Sequence, residues 1–218
     1  MLKAQGIRKS YNQLSVLKDV HLEVAKGEIV SVVGASGAGK STLLHILGTL
    51  DAPDGGQVWL AGEEVMKKSP AALARFRNQR IGFIFQFHNL LAEFSALENV
   101  MIPGLIGGGS RHEVEQRASN LLKRLGLGHR LQHKPSELSG GEQQRTAVAR
   151  ALVNGPAVVF ADEPSGNLDS KNARELHQLF FDLRKEFGYT FVIVTHNTEL
   201  ADMADRKLEI KDGRIVND

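Results

Sequence analysis

Nine consecutive residues have the types and spacing of a loop that binds phosphate. The first eight fit the pattern G-x-x-x-x-G-K-[ST] at every fixed position, and a threonine follows. Glycines let such a backbone curl, so that successive N–H groups point at phosphate oxygens. Lys40 would bring a positive charge to the β- and γ-phosphates, and Ser41 would offer a hydroxyl to Mg²⁺. The sequence therefore predicts ATP and magnesium binding by Gly34, Ala35, Ser36, Gly37, Ala38, Gly39, Lys40, Ser41 and Thr42.

Two adjacent carboxylates follow a later apolar run. Residues 157–161 are Ala-Val-Val-Phe-Ala, and Asp162 and Glu163 come directly after them. A buried strand that delivers acids to its carboxyl end puts them where open α/β sheets bind ligands. Asp162 would hold Mg²⁺, and Glu163 would act as general base on the attacking water. Alone, the pair could be a solvated acidic turn, but beside a phosphate loop it indicates hydrolysis.

A second helix start with anion-binding character lies between these motifs. Leu-Ser-Gly-Gly-Glu at residues 138–142 precedes a helical pattern that runs to about Val153. Ser139 can cap that helix, and Gly140 and Gly141 leave its first N–H groups bare. One nucleotide does not obviously need two such helix starts in one chain.

The elements that must position these motifs alternate along the chain. Apolar runs typical of strands buried on both faces occur at residues 29–33, 81–85, 157–161 and 191–194. Alternation with helical segments predicts an α/β fold with a parallel sheet. The turn residues Asp54-Gly55-Gly56 indicate a hairpin-type turn before residues 58–60.

Helical spacing replaces the strand signals near the middle of the chain. Apolar residues recur on one helix face at Val114, Ala118, Leu121, Leu122 and Leu125, and Gly126 stops that helix. We therefore predict an α/β core formed by residues 1–86 and 155–218, interrupted by a helical subdomain at residues 87–154.

Composition limits the kinds of binding partner and the cellular compartment that are expected for this protein. The 218 residues are 42% hydrophobic and 24% charged, and the formal charge of +2 is too small to indicate nucleic acid. Cysteine is absent, which excludes disulfides and thiolate metal sites and favours a reducing compartment. No apolar run approaches the roughly 18 residues of a membrane span, and the first residues lack a signal-peptide core. We expect a cytoplasmic protein that reaches a membrane only through a partner, without direct insertion.

Taken together, the motifs resemble those of ABC-type ATPases. The phosphate loop, Leu-Ser-Gly-Gly-Glu and the acid-terminated strand occur in that family's order and spacing across essentially the whole chain. The resemblance implies a single ATP-binding domain. Its P-loop NTPase core would have a RecA-like parallel sheet, an antiparallel β subdomain and an inserted helical subdomain. It also implies a head-to-tail homodimer on ATP binding, in which Ser139, Gly140 and Gly141 of one subunit cover the nucleotide on the other's phosphate loop.

Further site residues are implied by the same resemblance. Tyr11 is similar to the aromatic that stacks on adenine, although it could be a half-buried strand residue. Gln86 is similar to the glutamine that senses magnesium and links the core to the helical subdomain. Asp169 ends the Asn-Leu-Asp loop that crosses the dimer interface, and His196 is similar to the histidine that contacts the γ-phosphate. The implied catalytic residues are thus Glu163, His196 and Lys40, and the implied metal-binding residues are Ser41, Gln86 and Asp162. Three other histidines, His45, His88 and His177, are expected to be surface or packing residues.

Residues 85–100 narrow the resemblance. Phe-Gln-Phe-His-Asn-Leu-Leu-Ala-Glu-Phe followed by Ala-Leu-Glu-Asn-Val is similar to ATP-binding subunits of bacterial lipoprotein-releasing systems, as are residues 41–51 and 206–213. Ala92 and Ser165 stand where that group usually has proline and threonine. The resemblance implies two copies under two integral inner-membrane permease subunits, at the cytoplasmic face. ATP would power lipoprotein release toward a periplasmic carrier.

Other functions are compatible with the nucleotide motifs. A macrolide-exporter-like ATPase usually continues into membrane helices, and this sequence ends at Asp218 without one. A cell-division-type regulatory ATPase would differ only in its groove lining and its membrane partner. A soluble ABC ATPase of DNA repair or translation would carry two cassettes or a coiled-coil insertion. A bare ATP-binding fold would not need the motif at residues 138–142.

Overall fold

A computed structural model describes residues 1–217 of the chain. Its strands and helices, in chain order, are β1 (Leu2–Tyr11), β2 (Leu14–Val24), β3 (Ile29–Val33), α1 (Lys40–Leu47), β4 (Gly55–Leu60), β5 (Glu63–Glu64), α2 (Pro70–Arg80), β6 (Ile81–Phe85), α3 (Ala96–Ile106), α4 (Arg111–Arg124), α5 (Gly140–Leu152), β7 (Val158–Asp162), α6 (Ser170–Phe187), β8 (Phe191–Val194), α7 (Thr198–Met203), β9 (Arg206–Lys211) and β10 (Arg214–Asn217). Two short 3₁₀ helices lie at Val65–Lys67 and Pro135–Glu137.

The larger sheet has six strands in the order β10-β9-β3-β8-β7-β6. Strands β9, β3, β8, β7 and β6 pair in parallel, and β10 pairs antiparallel with β9 at one edge. The apolar runs predicted as buried strands form β3, β6, β7 and β8, so the α/β prediction is confirmed. Because these strands are parallel, the residues that follow them lie along one edge of the sheet.

The smaller sheet is antiparallel, with the strand order β2-β1-β4-β5, as the resemblance implied. The predicted hairpin turn at residues 54–56 is wrong, because Gly55 and Gly56 begin β4, which pairs with β1. Gly56 has φ +94°, and a Cβ placed on it would lie 2.5 Å from the carbonyl oxygen of Gly6. This glycine thus allows β4 to approach β1 closely. In sequence, a glycine with this role cannot be distinguished from a glycine in a turn.

Helices α3, α4 and α5 occupy the chain between β6 and β7. The predicted apolar face of α4 is buried at Val114, Ala118 and Leu122, and the helix ends at Arg124, just before Gly126. Side chains of these helices share one hydrophobic cluster with β7, α6 and β8, so the helices pack on one face of the larger sheet. The division into residues 1–86, 87–154 and 155–218 stays a prediction.

Among residues 1–217, no helix has the length and apolar character needed to cross a membrane.

Candidate active site

The phosphate loop joins β3 to α1, the arrangement that the motif requires. Gly34, Gly37 and Gly39 all have positive φ, at 148°, 78° and 104°. A Cβ placed on Gly34 would collide with the carbonyl oxygen of Ile210 in β9. The loop therefore needs glycine both for its backbone conformation and for its packing against the neighbouring strand.

Helix α1 begins with exposed donors. Its N-cap is Gly39, which offers no side-chain cap, and its first turn contains no acidic residue. The Lys40 side chain bends back over the loop, where its ammonium donates to the carbonyl oxygens of Gly34 at 2.9 Å and Ala35 at 3.0 Å. A full charge, a helix N-terminus and bare N–H groups thus meet at one place suited to a polyphosphate.

Ser41 and Asp162 meet although they are far apart in sequence. The Ser41 hydroxyl donates to the Asp162 carboxylate at 3.2 Å. Burial raises the pKa of Asp162, and the Ser41 hydrogen bond and nearby His45 and Lys40 oppose that rise. A hydroxyl and a carboxylate are hard oxygen ligands, which fit Mg²⁺. No group of three His, Asp or Glu side chains suited to a metal occurs in residues 1–217. Mg²⁺ commonly takes only one or two protein ligands, with phosphate and water supplying the rest.

Glu163 and His196 also meet at this edge. The Glu163 carboxylate accepts hydrogen bonds from the His196 backbone N–H at 3.2 Å and lies 2.8 Å from the Nδ1 of that ring. Glu163 itself has φ +46°, and its N–H donates to the carbonyl oxygen of Val194 at 2.9 Å. A left-handed conformation at a non-glycine residue costs of order 1–3 kcal/mol, which the surrounding contacts must offset. The carboxylate is therefore held by the backbone N–H and the ring of His196, at the ends of β7 and β8.

Gln86 follows β6 and completes the same edge of the sheet. Its amide nitrogen donates to the Asn167 side-chain oxygen at 3.1 Å, and the Asn167 amide donates back to the Gln86 carbonyl at 3.2 Å. Gln86 thereby ties the entrance of the helical segment to the loop between Glu163 and Asp169.

Tyr11 ends β1 next to the phosphate loop. Its hydroxyl donates to the Asp51 carboxylate at 2.6 Å, and the Lys9 ammonium lies 5.0 Å from the ring centroid. Hydrogen bonding to Asp51 raises the pKa of Tyr11, while Thr42 of the loop acts in the opposite direction. The side chain is 46% exposed, so its ring is available for stacking.

Helix α5 begins at the second predicted anion site, and the prediction that Ser139 caps it is confirmed. The Ser139 hydroxyl accepts from the Glu142 backbone N–H at 3.3 Å, and the Glu142 carboxylate accepts from the Ser139 N–H at 2.8 Å. Arg130 pairs with Glu142 at 2.9 Å. The Ser139 backbone hydrogen bond and the Arg130 pair together lower the pKa of Glu142 to about 2.

The start of α5 packs against the start of α6. A Cβ placed on Gly141 would lie 2.5 Å from the Asn172 side-chain oxygen. Asp169 caps α6 by accepting from the N–H groups of Lys171 and Asn172 at 3.0 and 2.9 Å. Among residues 1–217, no hydrogen bond joins residues 139–141 to the phosphate loop. The structure thus gathers Lys40, Asp162, Glu163, His196 and Gln86 at one sheet edge, and places the Ser139 motif elsewhere.

Two histidines have closer ties to the site than the sequence interpretation gave them. His45 lies four residues after Ser41 on α1, near enough to influence the pKa of Asp162. His177 is buried and hydrogen-bonds Ser165, two residues after Glu163. Helical spacing could have placed each histidine on its helix face, because residues four apart share a face, but it could not have identified Ser165 as the partner of His177. His45 is four residues from Ser41, and His177 is four residues from the buried Ala173.

The profile of the family described as "ABC transporter" matches residues 17–166. The chain belongs to this family. The family assignment from the sequence motifs is therefore confirmed, and this ABC ATPase binds ATP and hydrolyses it in a reaction coupled to transport.

Curated relatives match this ABC ATPase along its full length. It is 61% identical over 99% of both chains to the lipoprotein-releasing system ATP-binding protein LolD of Cytophaga hutchinsonii. It is 57% identical to the LolD protein of Bacteroides fragilis, over 99% of this chain and 100% of the relative. The predicted resemblance to the LolD group is confirmed by this similarity.

Solved structures support the same architecture. A dimeric ATP-binding cassette in a post-hydrolysis state with ADP and Pi is similar at a TM-score of 0.90 and 39% identity, covering 100% of this chain and 97% of that one. The protein cbiO1 of Clostridium perfringens, part of the ABC transporter complex cbiONQ, gives a TM-score of 0.90 at 28% identity, covering 99% of this chain and 86% of that one. The predicted P-loop NTPase fold with an antiparallel subdomain is thereby confirmed.

Proposed function

We propose that this ABC ATPase powers the release of lipoproteins from the inner membrane toward a periplasmic carrier. The observation that carries the proposal is the 61% identity to a LolD protein over 99% of both chains. A macrolide-exporter ATPase or a cell-division regulator would use the same nucleotide motifs. The similarity of residues 85–100 to the lipoprotein-releasing group favours the transport of lipoproteins.

In this proposal the phosphate loop provides ATP affinity. The N–H groups at the start of α1 and the Lys40 ammonium would hold the β- and γ-phosphates. The exposed ring of Tyr11 would stack on adenine, with its hydroxyl anchored by Asp51. Ser41, Asp162 and Gln86 would hold Mg²⁺, which supplies charge neutralisation between the β- and γ-phosphates when bound.

Glu163 would take the proton from the attacking water. Its carboxylate is 19% exposed and is fixed by the backbone N–H of His196. The His196 side chain is 72% exposed, so its ring can reach a γ-phosphate while Nδ1 stays beside Glu163. The two residues would act together, one as general base and one as a hydrogen-bond donor to the transferred phosphoryl group.

Hydrolysis would need a second copy of the chain. Ser139, Gly140 and Gly141 are at the start of a helix, and in the described part of the chain no hydrogen bond joins them to the phosphate loop. Dimeric cassettes are among the similar structures. In a head-to-tail homodimer this helix start would cover the γ-phosphate bound to the other subunit. Asp169 would lie in the loop that crosses the interface.

Partners in the membrane complete the proposal. Two integral permease subunits would hold the homodimer at the cytoplasmic face of the inner membrane, with no nucleic acid and no direct insertion. Exposed apolar side chains at Phe87 (68%), Phe94 (41%) and Ile106 (74%) support a protein-binding surface on the helical segment. We assign this segment to residues 87–154, and the ATP-binding core to residues 1–86 and 155–218.

The variant Glu163→Gln tests the chemical step. It removes the proton acceptor but keeps the shape, so hydrolysis should fall about 10²–10⁴-fold while ATP affinity stays within about twofold. The variant should accumulate as an ATP-bound dimer, measured by size-exclusion chromatography. Glu115→Gln is the control, since it makes the same charge change on the exposed face of α4. Rapid turnover by Glu163→Gln would show that another group is the base.

Co-purification from native membranes tests the biological role. The tagged full-length chain, as wild type and as Glu163→Gln, would be solubilised with ATP and its partners identified by mass spectrometry. We expect two permease subunits of a lipoprotein-releasing type, together with bound lipoprotein. Recovery with a cell-division partner, or with no membrane protein, would contradict the proposal.

A further inference from the structure

The turn between β7 and α6 carries the proposed general base. Glu163 begins it in a left-handed conformation, and the Gly166 N–H donates back to the Glu163 carbonyl oxygen at 3.0 Å. The Leu168 N–H donates to the Ser165 carbonyl oxygen at 3.1 Å, and Asp169 then caps α6. Because Glu163 is strained, contacts elsewhere in this turn must hold it.

Helix α5 supplies one of these contacts through Gln144. Its side chain is fully buried, and its amide nitrogen donates to the carbonyl oxygen of Pro164 at 2.6 Å and to that of Phe85 at 3.3 Å. Gln144 therefore fixes the residue directly after Glu163 from one side and leaves the next residue, Ser165, to be held by another group.

Helix α6 supplies that group through His177. The His177 Nε2 lies 2.9 Å from the Ser165 hydroxyl oxygen, and the two side chains belong to residues that are only 1% and 8% exposed. His177 occupies a position on the buried face of α6 between Ala173 and Phe180, where an apolar side chain would satisfy packing. A polar ring costs desolvation there unless it makes a useful hydrogen bond.

The hydrogen-bonding environment of the two ring nitrogens determines the tautomer of His177. Its Nδ1 is buried and has no hydrogen-bond partner among residues 1–217. An unpaired N–H donor at that position would cost more than an unpaired lone pair, so the proton belongs on Nε2. The ring then donates to Ser165. Burial lowers the pKa of His177, with Glu199 acting in the opposite direction, and the lowered pKa favours the neutral ring that this arrangement requires.

We propose that His177 is a positioning residue for hydrolysis, which holds the Glu163 turn in place by donating a hydrogen bond from Nε2 to the Ser165 hydroxyl. The inference rests on the proposed role of Glu163. It assigns a task in the reaction to a buried histidine that acts on Glu163 through the turn that follows it. It also explains a polar pair at two buried positions next to the general base.

Matched variants of the full-length chain test the inference. His177→Phe keeps ring volume and removes the donor, and His177→Gln keeps a donor near the position of Nε2. We expect His177→Phe to lower kcat about tenfold, the factor for one lost hydrogen bond. ATP affinity should stay within about twofold, since the phosphate loop is untouched. His177→Gln should retain at least about half of the wild-type kcat.

Substitutions at Ser165, the hydrogen-bond partner of His177, complete a double-mutant cycle. Ser165→Ala should lower kcat by a similar factor, Ser165→Thr should restore it, and His177→Phe combined with Ser165→Ala should be no slower than either single variant. If His177→Phe does not fold, as judged from its Tm, Ser165→Ala alone decides the question. An unchanged kcat in Ser165→Ala would overturn the inference, as would equal losses in His177→Phe and His177→Gln.

Glu163→Gln, measured in parallel, separates the two proposals. If that variant still hydrolyses ATP rapidly, the role of Glu163 is wrong. If it is inactive while His177→Phe and Ser165→Ala turn over at the wild-type rate, only the role of His177 is wrong.

Discussion

Two helix starts in this ABC ATPase are predicted to contact phosphate, and they are built differently. Helix α1 begins after a left-handed glycine with no side-chain cap and no acid in its first turn, and Lys40 adds a full positive charge. Helix α5 begins with a capping box in which Ser139 and Glu142 satisfy each other's N–H groups, so a carboxylate lies in its first turn.

The difference has a physical consequence for affinity. At α1 the helix N-terminus and the Lys40 ammonium both attract an anion, and no acid in the first turn opposes them, so this site can bind a nucleotide within one subunit. At α5 the Glu142 carboxylate offsets part of the positive end of the helix, and only the N–H groups of Gly140 and Gly141 remain for a ligand. We infer that α5 contributes shape and hydrogen bonds to a phosphate that α1 of another subunit already holds.

Removal of the lysine charge should give the largest effect. Lys40→Ala should weaken ATP binding about a hundredfold, because charge-assisted hydrogen bonds worth roughly 3 kcal/mol are lost. Isothermal titration calorimetry with ATP would measure the change. Lys123→Ala, an exposed lysine on α4, is the control for the same change in net charge. An unchanged dissociation constant in Lys40→Ala would mean that the backbone loop alone supplies the affinity.

Ser139→Arg should affect dimer formation but not ATP binding, and its effect should be smaller than that of Lys40→Ala. A long side chain at the start of α5 should weaken the ATP-driven dimer by about 2 kcal/mol, or roughly thirtyfold, through steric interference at the interface. ATP binding by the monomer should not change, because α1 is untouched.

Ser110→Arg is the matched control, since Ser110 also caps a helix through its hydroxyl. Both variants lose a cap worth about 1 kcal/mol, so their Tm values should fall alike. Sedimentation velocity of each variant with ATP, in a Glu163→Gln background, would measure the dimer fraction. Equal dimer formation in both variants would show that α5 does not reach the other subunit's nucleotide.

Much of the site at α1 could be predicted from sequence, because its chemistry is local. Strand, glycine loop, lysine and helix are consecutive, and the acids come directly after an apolar run. The order of the six strands could not be predicted, since apolar runs do not say which strand pairs with which. Glycines that serve close strand packing also resemble turn signals, which is why residues 54–56 were misassigned.

Contacts between distant buried polar groups were also beyond the sequence interpretation. His177 could be placed on the buried face of α6 by its spacing from Ala173 and Phe180, but its partner Ser165 lies in a different element. In sequence, a buried histidine that only fills space and one that donates a hydrogen bond to a distant residue give the same pattern. Only the fold shows that this one donates into the turn that follows Glu163.

Removal of the Glu142 charge, which distinguishes α5 from α1, should have the smallest effect. Glu142→Gln keeps the capping geometry but removes the charge that pairs with Arg130. The pKa of Glu142 is lowered from its ordinary 4.5 to about 2, so the charge stabilises the folded state above pH 4.5. That contribution is lost as the pH falls through about 2. We expect the free energy of unfolding to fall by about 1–2 kcal/mol at pH 7, from urea titrations.

The difference between wild type and Glu142→Gln should then shrink as the pH is lowered from 4.5 toward 2, because the wild-type carboxyl becomes neutral as well. Glu98→Gln is the matched control. Glu98 closes a capping box at the start of α3 in the same way, but its carboxylate is exposed and no arginine side chain lies within ion-pair distance among residues 1–217. A smaller loss in Glu98→Gln would assign the excess to the Arg130 pair. Equal losses would show that the two helix starts differ in their caps alone.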